Sequence, residues 1–505
     1  MDIVRMLTWT ADRYPGRKAV GGPEPLTYRQ WDARTNQLAR TLAGLGVRHG
    51  DRVAFLLPGG EPMASLHLAV QKLGAASVPL SVRFGPAELA HCVGDADPVL
   101  VVGDETTQAA LAALDTRPHD RAALDQMARH EPDGELTETL RPEELSVILY
   151  TSGTTGRPKG VPRTHAAEHA AAVAHAIQTQ HRPGEVTLGV MPLFHTMGVR
   201  TLLASILVGG TWVPQAGFDA DASLELIARD RVSALYLVPT MYWSLLRTGR
   251  LAEAAGAVTR VGYAGAPMTQ ALVEDLAGTL DPEVFVNHFG STEIYTFSVC
   301  PDARKKPGCA GRAGVFSRVR LVDPRDPAVT VPPGTQGQVA VSMDSPEAFR
   351  GYRNRPDADT RAIRDGWYLT GDLAAEDGDG DLWVTGRVDD MINSGGENIY
   401  PDEIEDALAR CPAVSAVVVV GLPDDRWGRA VTAFMVAADG LSPEQAVAQL
   451  AGYARGPSGL SPIKRPKRFI AVDHIPTSAV GKILRREFTE GRYQPLAEIR
   501  PGGTA

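Results

Sequence analysis

The feature that most limits the fold of this chain is its alternation of short apolar segments with longer helical patterns. In the first 130 residues, "DRVAFLLP" is typical of a buried strand, and "PMASLHLAVQKLGAASVPL" of a helix that leads into another strand. Thr27 is placed to cap an earlier helix that ends at Gly46. Strands that alternate with helices indicate βαβ units with parallel strands. The chain is therefore predicted to begin with an α/β domain.

The alternation continues from Ser146 to about Thr296 and then changes. Its strand candidates are "SVILY", "VTLGVMPL", "GTWVPQ", "ALYLVP", "RVGYAGA" and "VFVNHFG". From about Arg312 to Arg387, short strands with Gly, Asp and Pro turns indicate a distorted antiparallel β region. Because 505 residues exceed what one core organises, we predict two domains. These are an N-terminal α/β domain of two βα-layered subdomains plus the β region (1–387), and a small α/β domain (388–505).

Charge, cysteine content and hydropathy exclude several classes of protein. With 51 basic and 60 acidic residues the net charge is −9, which argues against a nucleic-acid partner. None of Cys92, Cys300, Cys309 and Cys411 forms a CxxC pair, so neither a zinc site nor a disulfide framework is indicated. The sequence has neither an export signal nor an apolar stretch of membrane-spanning length. We expect no membrane partner and a cytoplasmic location.

A glycine-rich segment, "YTSGTTGRPKG" (150–160), follows a buried strand. Its glycines allow backbone N–H groups to approach phosphate oxygens, its hydroxyls add donors, and Lys159 adds positive charge. A Walker A loop fails here, because Pro158 stands five residues after Gly153 and Gly160 follows Lys159. A kinase or P-loop ATPase is therefore disfavoured. The segment favours polyphosphate binding, and taken alone it leaves an ordinary flexible turn open.

Four further motifs follow it along the chain: "HFGSTE" (288–293), "GWYLTGDLA" (366–374), "GRVDDMINSGGENIYPDEIE" (386–405) and "GKILRRE" (481–487). Together and in this order, the five resemble the motifs of the adenylate-forming superfamily. That superfamily includes acyl-CoA synthetases, nonribosomal peptide adenylation domains and luciferases. Within it, "DDRWGRAVTA" and "KRPKRF" are most similar to aryl-CoA ligases.

The resemblance implies a reaction in two steps. A carboxylate is joined to the AMP part of ATP with release of pyrophosphate, and a thiol such as that of CoA then displaces AMP. Lys482 resembles the family lysine that bridges the carboxylate and the α-phosphate, where a cation stabilises developing charge. A surface lysine beside Arg485 and Arg486 is the plainer alternative for it.

The same resemblance implies a set of residues for ATP and its metal. Glu293 is expected to bind Mg²⁺, which prefers carboxylate and phosphate oxygens, and Thr292 to contact phosphate. Asp372 and Arg387 resemble the ribose-binding pair, and Phe289 is expected to stack on adenine where tyrosine is commoner. The remaining members of the ATP set are Thr151, Ser152, Gly153, Thr154, Thr155, Gly156, Lys159, Gly265, Ala266, Pro267, His288, Gly290 and Ser291.

For thioester formation, the resemblance implies that the C-terminal domain is mobile and rotates about Asp389. This rotation would exchange Lys482 for the "SGGEN" loop, whose glycines let a pantetheine arm pass close to the backbone. A solubilising surface is the alternative for the basic run "KRPKR". The expected CoA-binding residues are Ser394, Gly395, Gly396, Trp427, Arg465 and Lys467.

The segment "MPLFHTMG" resembles the one whose histidine flanks and gates the acyl pocket, so His195 is assigned this role and grouped with the catalytic residues Lys482, Thr292 and Glu293. His288 stands where chlorobenzoate-type ligases carry an aliphatic residue, and Tyr295 replaces a methionine. These changes favour a short, ring-shaped or polar-substituted acid, because buried polar groups reject substrates that leave them unpaired. The expected pocket residues are His195, Tyr263, Ala264, His288, Gly290, Tyr295 and Thr296.

Three functions are compatible with these motifs. The first is an AMP-forming aryl- or small-acyl-CoA ligase that uses ATP, Mg²⁺ and CoA. The second is an adenylating enzyme with another acceptor, such as a carrier-protein thiol or an amine, or one that activates a small oxyanion. The third, a nucleotide-binding scaffold without activity, is disfavoured because Lys482, Glu293, Asp372 and Arg387 are all present. The sequence leaves the acid and the oligomeric state open, with a homodimer among the options.

Overall fold

The structure is a computed structural model, which describes residues 2–112, 114, 118–136, 138–151, 157–394, 397–424, 427–458, 460–477 and 483–501. Its contacts divide the chain into two compact units, described separately below. Unit 1 comprises Met1–Val319, Ala340–Leu369 and Gly380–Leu382. Unit 2 comprises Arg320–Val339, Thr370–Asp379 and Trp383–Ala505. Residues 388–505 all belong to unit 2, and the domain boundary after residue 387 stays a prediction.

The first part of unit 1 follows the predicted alternation. Its elements are α1 (Ile3–Arg13), β1 (Lys18–Val20), β2 (Leu26–Thr27), α2 (Tyr28–Gly44), β3 (Arg52–Phe55), α3 (Glu61–Lys72), β4 (Ala76–Pro79), α4 (Pro86–Ala96), β5 (Leu100–Gly103), α5 (Gln108–Leu111), β6 (His119–Asp120) and α6 (Arg121–Ala128). Thr27 caps α2 as predicted, through a capping box in which its side chain and that of Gln30 bind each other's backbone N–H.

The second part of unit 1 continues the series up to an antiparallel edge. Its elements are β7 (Leu145–Thr151), β8 (Lys159–Thr164), α7 (His165–Gln178), β9 (Val186–Gly189), α8 (Thr196–Leu207), β10 (Thr211–Pro214), α9 (Ala220–Asp230), β11 (Ala234–Leu237), α10 (Pro239–Arg247), a 3₁₀ turn (Leu251–Ala254), β12 (Arg260–Ala264), α11 (Gln270–Leu280), β13 (Val284–Phe289), β14 (Ser298–Cys300) and β15 (Arg312–Ala313). All six predicted strand segments therefore contain a strand.

Two sheets organise unit 1 within the described residues. One has six strands in the order β6-β5-β3-β4-β7-β8, parallel except for the β7–β8 hairpin. The other has nine strands in the order β15-β14-β13-β12-β11-β9-β10-β1-β2, with parallel pairing from β13 to β1. Large apolar side chains, such as those of Trp31 and Trp212, are fully buried in the core of unit 1.

The carboxyl ends of β11, β12 and β13 lie at one edge of the nine-stranded sheet, because neighbouring parallel strands are in register there. Leu237 pairs with Tyr263, and Ala264 with His288. Ligands of open α/β sheets bind at this kind of edge. The loops after β12 and β13 carry the "AGAP" and "GSTE" segments, so this edge positions two of the predicted motifs.

The predicted antiparallel region contains short strands and one helix. These elements are β16 (Val319–Val322), β17 (Gly337–Ser342), α12 (Pro356–Ala362), β18 (Ile363–Arg364), β19 (Trp367–Glu376) and β20 (Leu382–Arg387). Within unit 1, β18 and β19 pair antiparallel, with Ile363 opposite Tyr368. The helix α12 begins with proline at its first turn, where the missing N–H costs no hydrogen bond.

Unit 2 has its own α/β core around a sheet of four strands, counted over the described residues, in the order Val414–Asp424, Gly428–Ala437, Arg468–Ala471 and Ala497–Ile499. Ile404 and Leu408 of its first helix and Leu450 of its second are fully buried against the sheet. Its elements after β20 are β21 (Ile392–Ser394), β22 (Glu397–Ile399), α13 (Pro401–Leu408), β23 (Val414–Asp424), β24 (Gly428–Ala437), α14 (Pro443–Arg455), β25 (Arg468–Ala471), α15 (Arg485–Thr489) and β26 (Ala497–Ile499). The predicted α/β fold class, with a large N-terminal and a smaller C-terminal domain, is confirmed.

In the part of the chain that the structure describes, no helix combines the length and the apolar character needed to cross a membrane.

Candidate active site

The glycine-rich segment connects the two strands of the β7–β8 hairpin in unit 1. Thr151 at the end of β7 lies opposite Lys159 at the start of β8. The intervening residues of the predicted phosphate loop, Ser152, Gly153, Thr154, Thr155 and Gly156, lie outside the described residues. The Lys159 ammonium lies 4.1 Å from the centroid of the Tyr352 ring. The hairpin thus brings a cation to the base of the predicted phosphate loop.

Tyr352 also connects this hairpin to the "STE" motif. Its hydroxyl donates a hydrogen bond of 2.6 Å to Oε1 of Glu293, which is 6% exposed. Burial and the neighbouring Glu293 carboxylate raise the pKa of Tyr352, so its hydroxyl stays protonated and acts as the donor. The Glu293 oxygen is therefore satisfied by a neutral group rather than a cation. A carboxylate held in this way is suited to binding a divalent cation, so the chemistry of the site fits Mg²⁺.

A fully buried arginine fixes the backbone of the same motif. Arg163 Nη1 donates to the carbonyl oxygens of Thr292 at 3.3 Å, Glu293 at 3.2 Å and Glu347 at 2.7 Å. Its Nε donates to Glu168 at 2.6 Å, and both side chains of this ion pair have no exposed area. The strand β8 thereby determines where the Thr292–Glu293 peptide lies.

The end of β13 forms a tight turn. A Cβ on Gly290 would lie 2.1 Å from the carbonyl oxygen of Tyr295, so only glycine fits there. The backbone N–H of Ser291 donates to the carbonyl of Ile294 at 3.0 Å and closes the turn. Just before it, the half-buried Phe289 packs edge-on against Phe297, with ring centroids 5.1 Å apart. The structure therefore presents Phe289, Gly290 and Ser291 consecutively at the edge of the sheet.

The segment after β12 lies at the same edge. Ala264 pairs with His288, and the next residue, Gly265, has a φ of +86°, a conformation that favours glycine. Gly265, Ala266 and Pro267 are exposed. The structure thus brings these three predicted nucleotide residues beside the His288–Phe289 strand end.

One predicted pocket residue, Tyr263, does not share the face of the others. Side chains alternate across a sheet, so Ala264 and His288 project to one face and Tyr263 to the opposite face. There the fully buried Tyr263 ring packs edge-on against Phe285 with centroids 6.1 Å apart. The expectation that Tyr263 lines a pocket together with His288 needs this correction, because the register of β12 fixes its direction.

The side chains of Tyr295 and Thr296 are already bound within unit 1. The Tyr295 hydroxyl donates to Glu168 Oε2 at 3.2 Å, and the Arg163 guanidinium lies 3.8 Å from its ring centroid. Arg200 donates to the Tyr295 carbonyl at 3.1 Å and to the Thr296 hydroxyl at 3.0 Å. The polar side-chain atoms of Tyr295 and Thr296 therefore bind other residues of unit 1 and stabilise the loop after β13.

His195 begins α8, at its N-cap position, after the loop that follows β9. Its Nδ1 is buried and has no hydrogen-bond partner among the described residues. Burial lowers the pKa of His195 to about 4, so the imidazole is neutral near pH 7. A neutral imidazole at this place can exchange hydrogen bonds with a substrate without adding charge.

Comparison with known proteins identifies this arrangement. The family model of AMP-binding enzymes matches residues 7–353, and the model of the AMP-binding enzyme C-terminal domain matches residues 403–482. The chain belongs to the family of AMP-binding enzymes. It is an AMP-forming acid–thiol ligase.

Individual relatives of this AMP-binding enzyme act on different acids by name. A 4-chlorobenzoate–CoA ligase from Arthrobacter sp. is 34% identical over 96% of this chain and 94% of its own length. A long-chain-fatty-acid–CoA ligase from Mycobacterium tuberculosis is 32% identical over 92% of this chain and 93% of its own. Among solved structures, o-succinylbenzoate CoA synthetase from Bacillus subtilis, in complex with its acyl-adenylate intermediate, has a TM-score of 0.87 and 27% identity, covering 97% of this chain and 98% of that one.

In unit 2 of the AMP-binding enzyme, the predicted ribose pair is brought together. Arg387 Nη1 donates to Asp372 Oδ1, and both side chains are largely buried. Gly371 has a φ of +78°, and a Cβ there would lie 2.9 Å from Arg387 Nη2. The positive φ therefore favours glycine in the "TGD" motif, and a side chain there would also displace the end of the Arg387 guanidinium.

Two of the predicted CoA-binding residues of unit 2 also meet. The Lys467 ammonium lies 5.3 Å from the centroid of the Trp427 ring, within cation–π range. Arg465 donates to the carbonyl of Leu460 at 2.9 Å, and Ser394 is fully buried at the end of β21. Gly395 and Gly396 lie outside the described residues.

The predicted catalytic lysine, Lys482, also lies outside the described residues, but the segment after it is described. Arg485 there donates to Asp402 at 2.6 Å and to Asp390 at 3.4 Å, and it forms an ion pair with Glu405. The predicted hinge residue, Asp389, is exposed in the turn that follows β20. Arg485 thus connects this turn to α13 and to the start of α15.

Sequence reasoning missed the residues that hold the site in place: Arg163, Glu168, Tyr352 and the ion-pairing role of Arg485. A signal for Arg163 exists in the alternation of β8, where arginine occupies an inward position, and buried arginines require partners. The sequence offers no corresponding signal for Tyr352, because its partners lie far away along the chain.

Proposed function

We propose that this AMP-binding enzyme activates a small aromatic or heteroaromatic carboxylic acid and transfers it to CoA. A carboxylate oxygen would attack the α-phosphorus of ATP, forming the acyl adenylate as pyrophosphate leaves. The CoA thiolate would then attack the acyl carbonyl and release AMP. Both steps balance, because each forms one bond to the reacting centre and breaks one.

The observation that carries the adenylation half of this proposal is the contact series Lys159–Tyr352–Glu293. In this series the Lys159 ammonium lies at the base of the predicted phosphate loop and contacts the Tyr352 ring. The Tyr352 hydroxyl, a neutral donor, binds Oε1 of Glu293. Mg²⁺ bound by Glu293 would supply charge neutralisation at the phosphates. Lys159 and the backbone around Thr151 would hold the β- and γ-phosphates, and the Asp372–Arg387 pair would bind the ribose.

The choice of a short aromatic acid rests on the side chains around His288. The rings of His288 and Tyr236 lie edge to face with centroids 5.3 Å apart, on the sheet face that also carries Ala264. Bulky rings at this depth leave little length for an alkyl chain, whereas flat rings pack well against one another. The relatives named above include an aryl-acid ligase and a fatty-acid ligase, so the acid has to be found by experiment.

Support for CoA as the acceptor comes from unit 2 and from the names of the relatives. The Lys467 ammonium and the Trp427 ring offer a charge for a phosphate and a flat surface for adenine. Both relatives and the solved structure named above are CoA ligases or a CoA synthetase.

The deciding experiment measures AMP release from ATP with benzoic, nicotinic, pyrrole-carboxylic and fatty acids, each with and without CoA. We expect aromatic acids to support pyrophosphate exchange without CoA, and rapid AMP release only with CoA. An acid labelled with ¹⁸O at its carboxylate should transfer one label to AMP. Exchange without any stimulation by CoA would contradict CoA as the acceptor, and label absent from AMP would contradict adenylation itself.

A further inference from the structure

Resting on the proposed function, we infer that the enzyme selects an aromatic acid whose ring carries a hydroxyl or amino group, bound by His175, Tyr236 and His288. We call these three residues the ring cluster. None of the sequence motifs includes His175 or Tyr236. They act as specificity-determining residues of the acyl pocket rather than as catalytic residues.

The ring cluster is a compact group in the interior of unit 1. The centroids of His175 and Tyr236 are 4.6 Å apart, those of Tyr236 and His288 are 5.3 Å apart, and those of His175 and His288 are 5.7 Å apart. Each of the three side chains is at most 2% exposed. Arg200 lies beside the group, with its guanidinium carbon 5.7 Å from the Tyr236 centroid.

The cluster lies on the same sheet face as the predicted acyl pocket. Tyr236 on β11 is opposite Gly262 on β12, and His288 on β13 is opposite Ala264. A Cβ on Gly262 would lie 2.7 Å from the Tyr236 ring, so glycine makes the space that this ring occupies. His175 reaches the rings from the helix α7.

The polar atoms of the ring cluster have no hydrogen-bond partner among the described residues. This holds for both ring nitrogens of His175, both ring nitrogens of His288 and the hydroxyl of Tyr236. The Nε of Arg200 also has no partner among the described residues, whereas its two Nη atoms donate to the Tyr295 carbonyl and the Thr296 hydroxyl. Buried polar groups cost free energy unless they are paired, so an unpaired cluster of them indicates a missing partner. In this position, the partner would be a polar substituent on the ring of the bound substrate.

A neighbouring buried histidine is paired within the protein, in contrast to His175 and His288. The ring of His181 lies 5.2 Å from that of His175, yet its Nδ1 is 2.5 Å from the Thr179 hydroxyl and its Nε2 is 3.3 Å from the Thr187 hydroxyl. Among the described residues, the protein therefore pairs His181 internally and offers no partner to the two histidines that face Tyr236.

The protonation state of the cluster decides which substituent fits. Burial first, and then the charge of Arg200, lowers the pKa of His175 and of His288 well below the usual value, so both imidazoles are neutral. Each neutral imidazole has one N–H donor and one acceptor nitrogen. The pair therefore presents two acceptors whichever tautomers they adopt. Hydroxyl and amino groups can donate to these acceptors. A second carboxylate can accept from the N–H groups and from Arg200 Nε but leaves both acceptors unpaired, and a halogen leaves donors and acceptors unpaired.

The first test uses the wild-type enzyme and compares kcat/KM for adenylation across matched acids. We expect 3- or 4-hydroxybenzoate, or the corresponding aminobenzoate, to exceed benzoate and the size-matched methylbenzoate by about 10-fold to 100-fold. Terephthalate, which places a carboxylate without a donor at the same position, should also fall below the hydroxybenzoates and aminobenzoates. This panel decides the inference even where a variant fails to fold.

The second test exchanges the cluster residues. His288→Ile and His175→Phe should each lower the hydroxybenzoate-to-benzoate ratio of kcat/KM by about 10-fold, since each removes one polar partner. The matched control is His165→Phe at the start of the same helix. His165 is also buried with both nitrogens unpaired among the described residues, but its titratable neighbours are Asp2, Glu144 and His49. That variant should lose thermal stability and keep the wild-type ratio.

The outcomes separate this inference from the proposed function. Activity with aromatic acids but equal or better use of benzoate, methylbenzoate or terephthalate would overturn the inference and leave the proposed function standing. A ratio that His165→Phe lowers as much as the cluster variants do would also overturn it. If no aromatic acid supports adenylation, the proposed function itself fails.

Discussion

The hydroxyl of Tyr352 donates a 2.6 Å hydrogen bond to the carboxylate of Glu293, and no motif in the sequence contains Tyr352. The same ring lies under the ammonium of Lys159, at 4.1 Å from its centroid. The Tyr352 side chain therefore contributes to the positions of both the cation expected to bind phosphate and the carboxylate expected to bind Mg²⁺. This double contact makes Tyr352 a positioning residue for the nucleotide.

The substitution Tyr352→Phe keeps the ring and removes only the hydroxyl. We expect the KM for Mg–ATP to rise about 10-fold, because a hydrogen bond to a charged acceptor is lost, with a smaller effect on the KM for the acid. Pyrophosphate exchange at varied Mg²⁺ concentration measures this, and the Mg²⁺ requirement should shift upward in parallel.

Tyr242→Phe is the matched control, since its buried hydroxyl donates to the carbonyl of Gly262 at 2.7 Å instead. It should lower stability and leave the Mg–ATP dependence unchanged. An unchanged Mg²⁺ requirement in Tyr352→Phe would show that Glu293 needs no help from this phenol.

Much of the site follows from the sequence because its motifs sit directly after strands. The apolar segments before Thr151 and before Phe289 are strong strand signals, and parallel strand ends share an edge. The contacts between residues far apart in the sequence, and the register between strands, could not be predicted from local sequence patterns. The period of two that makes β12 recognisable also directs Tyr263 away from His288, but this becomes evident only once the register of the strands is known.

Arg163 provides a test of how the Thr292–Glu293 peptide is held. Removing this buried charge leaves Glu168 Oε1 without its cation and the carbonyls of Thr292 and Glu347 without this donor. The Glu293 carbonyl keeps its bond from the Phe349 N–H at 2.8 Å. We expect Arg163→Ala to lower the free energy of unfolding by about 3–5 kcal/mol. Arg163→Lys, which keeps the charge but loses the planar fork, should recover only part of that loss. Chemical denaturation measures both.

The double variant Arg163→Met, Glu168→Met separates pairing from packing. Because the lone carboxylate is also removed, it should be less destabilised than Arg163→Ala, yet its pyrophosphate exchange should stay low. Full exchange in this variant would mean that the arginine has no part in positioning Glu293.

Lys482 tests the division of labour between the two half-reactions. We expect Lys482→Ala to lower the rate of adenylation by about 100-fold or more, because a cation is lost where negative charge develops in the transition state. Thiolysis of a supplied acyl adenylate by CoA should remain largely intact. Product analysis of the two half-reactions measures this split.

Arg486→Ala is the control for that loss of charge, since the ion pair that Arg486 forms within the described residues, with Glu490 at 3.9 Å, is exposed. It should leave both half-reactions near the wild-type rates. Equal loss of adenylation and thiolysis in Lys482→Ala would contradict the assignment of this lysine to the first step. Replacing Asp389 with proline should produce the reverse split, with adenylation kept and thiolysis lost.

Asp402 makes the stability of unit 2 depend on pH. Partial burial raises the pKa of Asp402 from 3.8 to about 6, since Arg485 only partly opposes this effect and the nearby Glu405 and Asp390 add to it. One arginine is shared by three carboxylates, so they cannot all be fully compensated. The folded state binds the Asp402 proton more tightly than the unfolded state. The stabilisation from this group is therefore complete below about pH 4 and is lost as the pH rises through about 6.

The substitution Asp402→Asn removes the titrating group and keeps an oxygen that accepts from Arg485. We expect its free energy of unfolding, relative to wild type, to increase as the pH is raised from about 4.5 to 7, because only the wild type pays for ionisation. Urea unfolding at a series of pH values measures this difference. Glu403→Gln removes a negative charge from the same helix and breaks a half-exposed pair with Lys464, so it controls for net charge. A difference that falls as the pH rises would mean that the Arg485 pairing outweighs burial at this carboxylate.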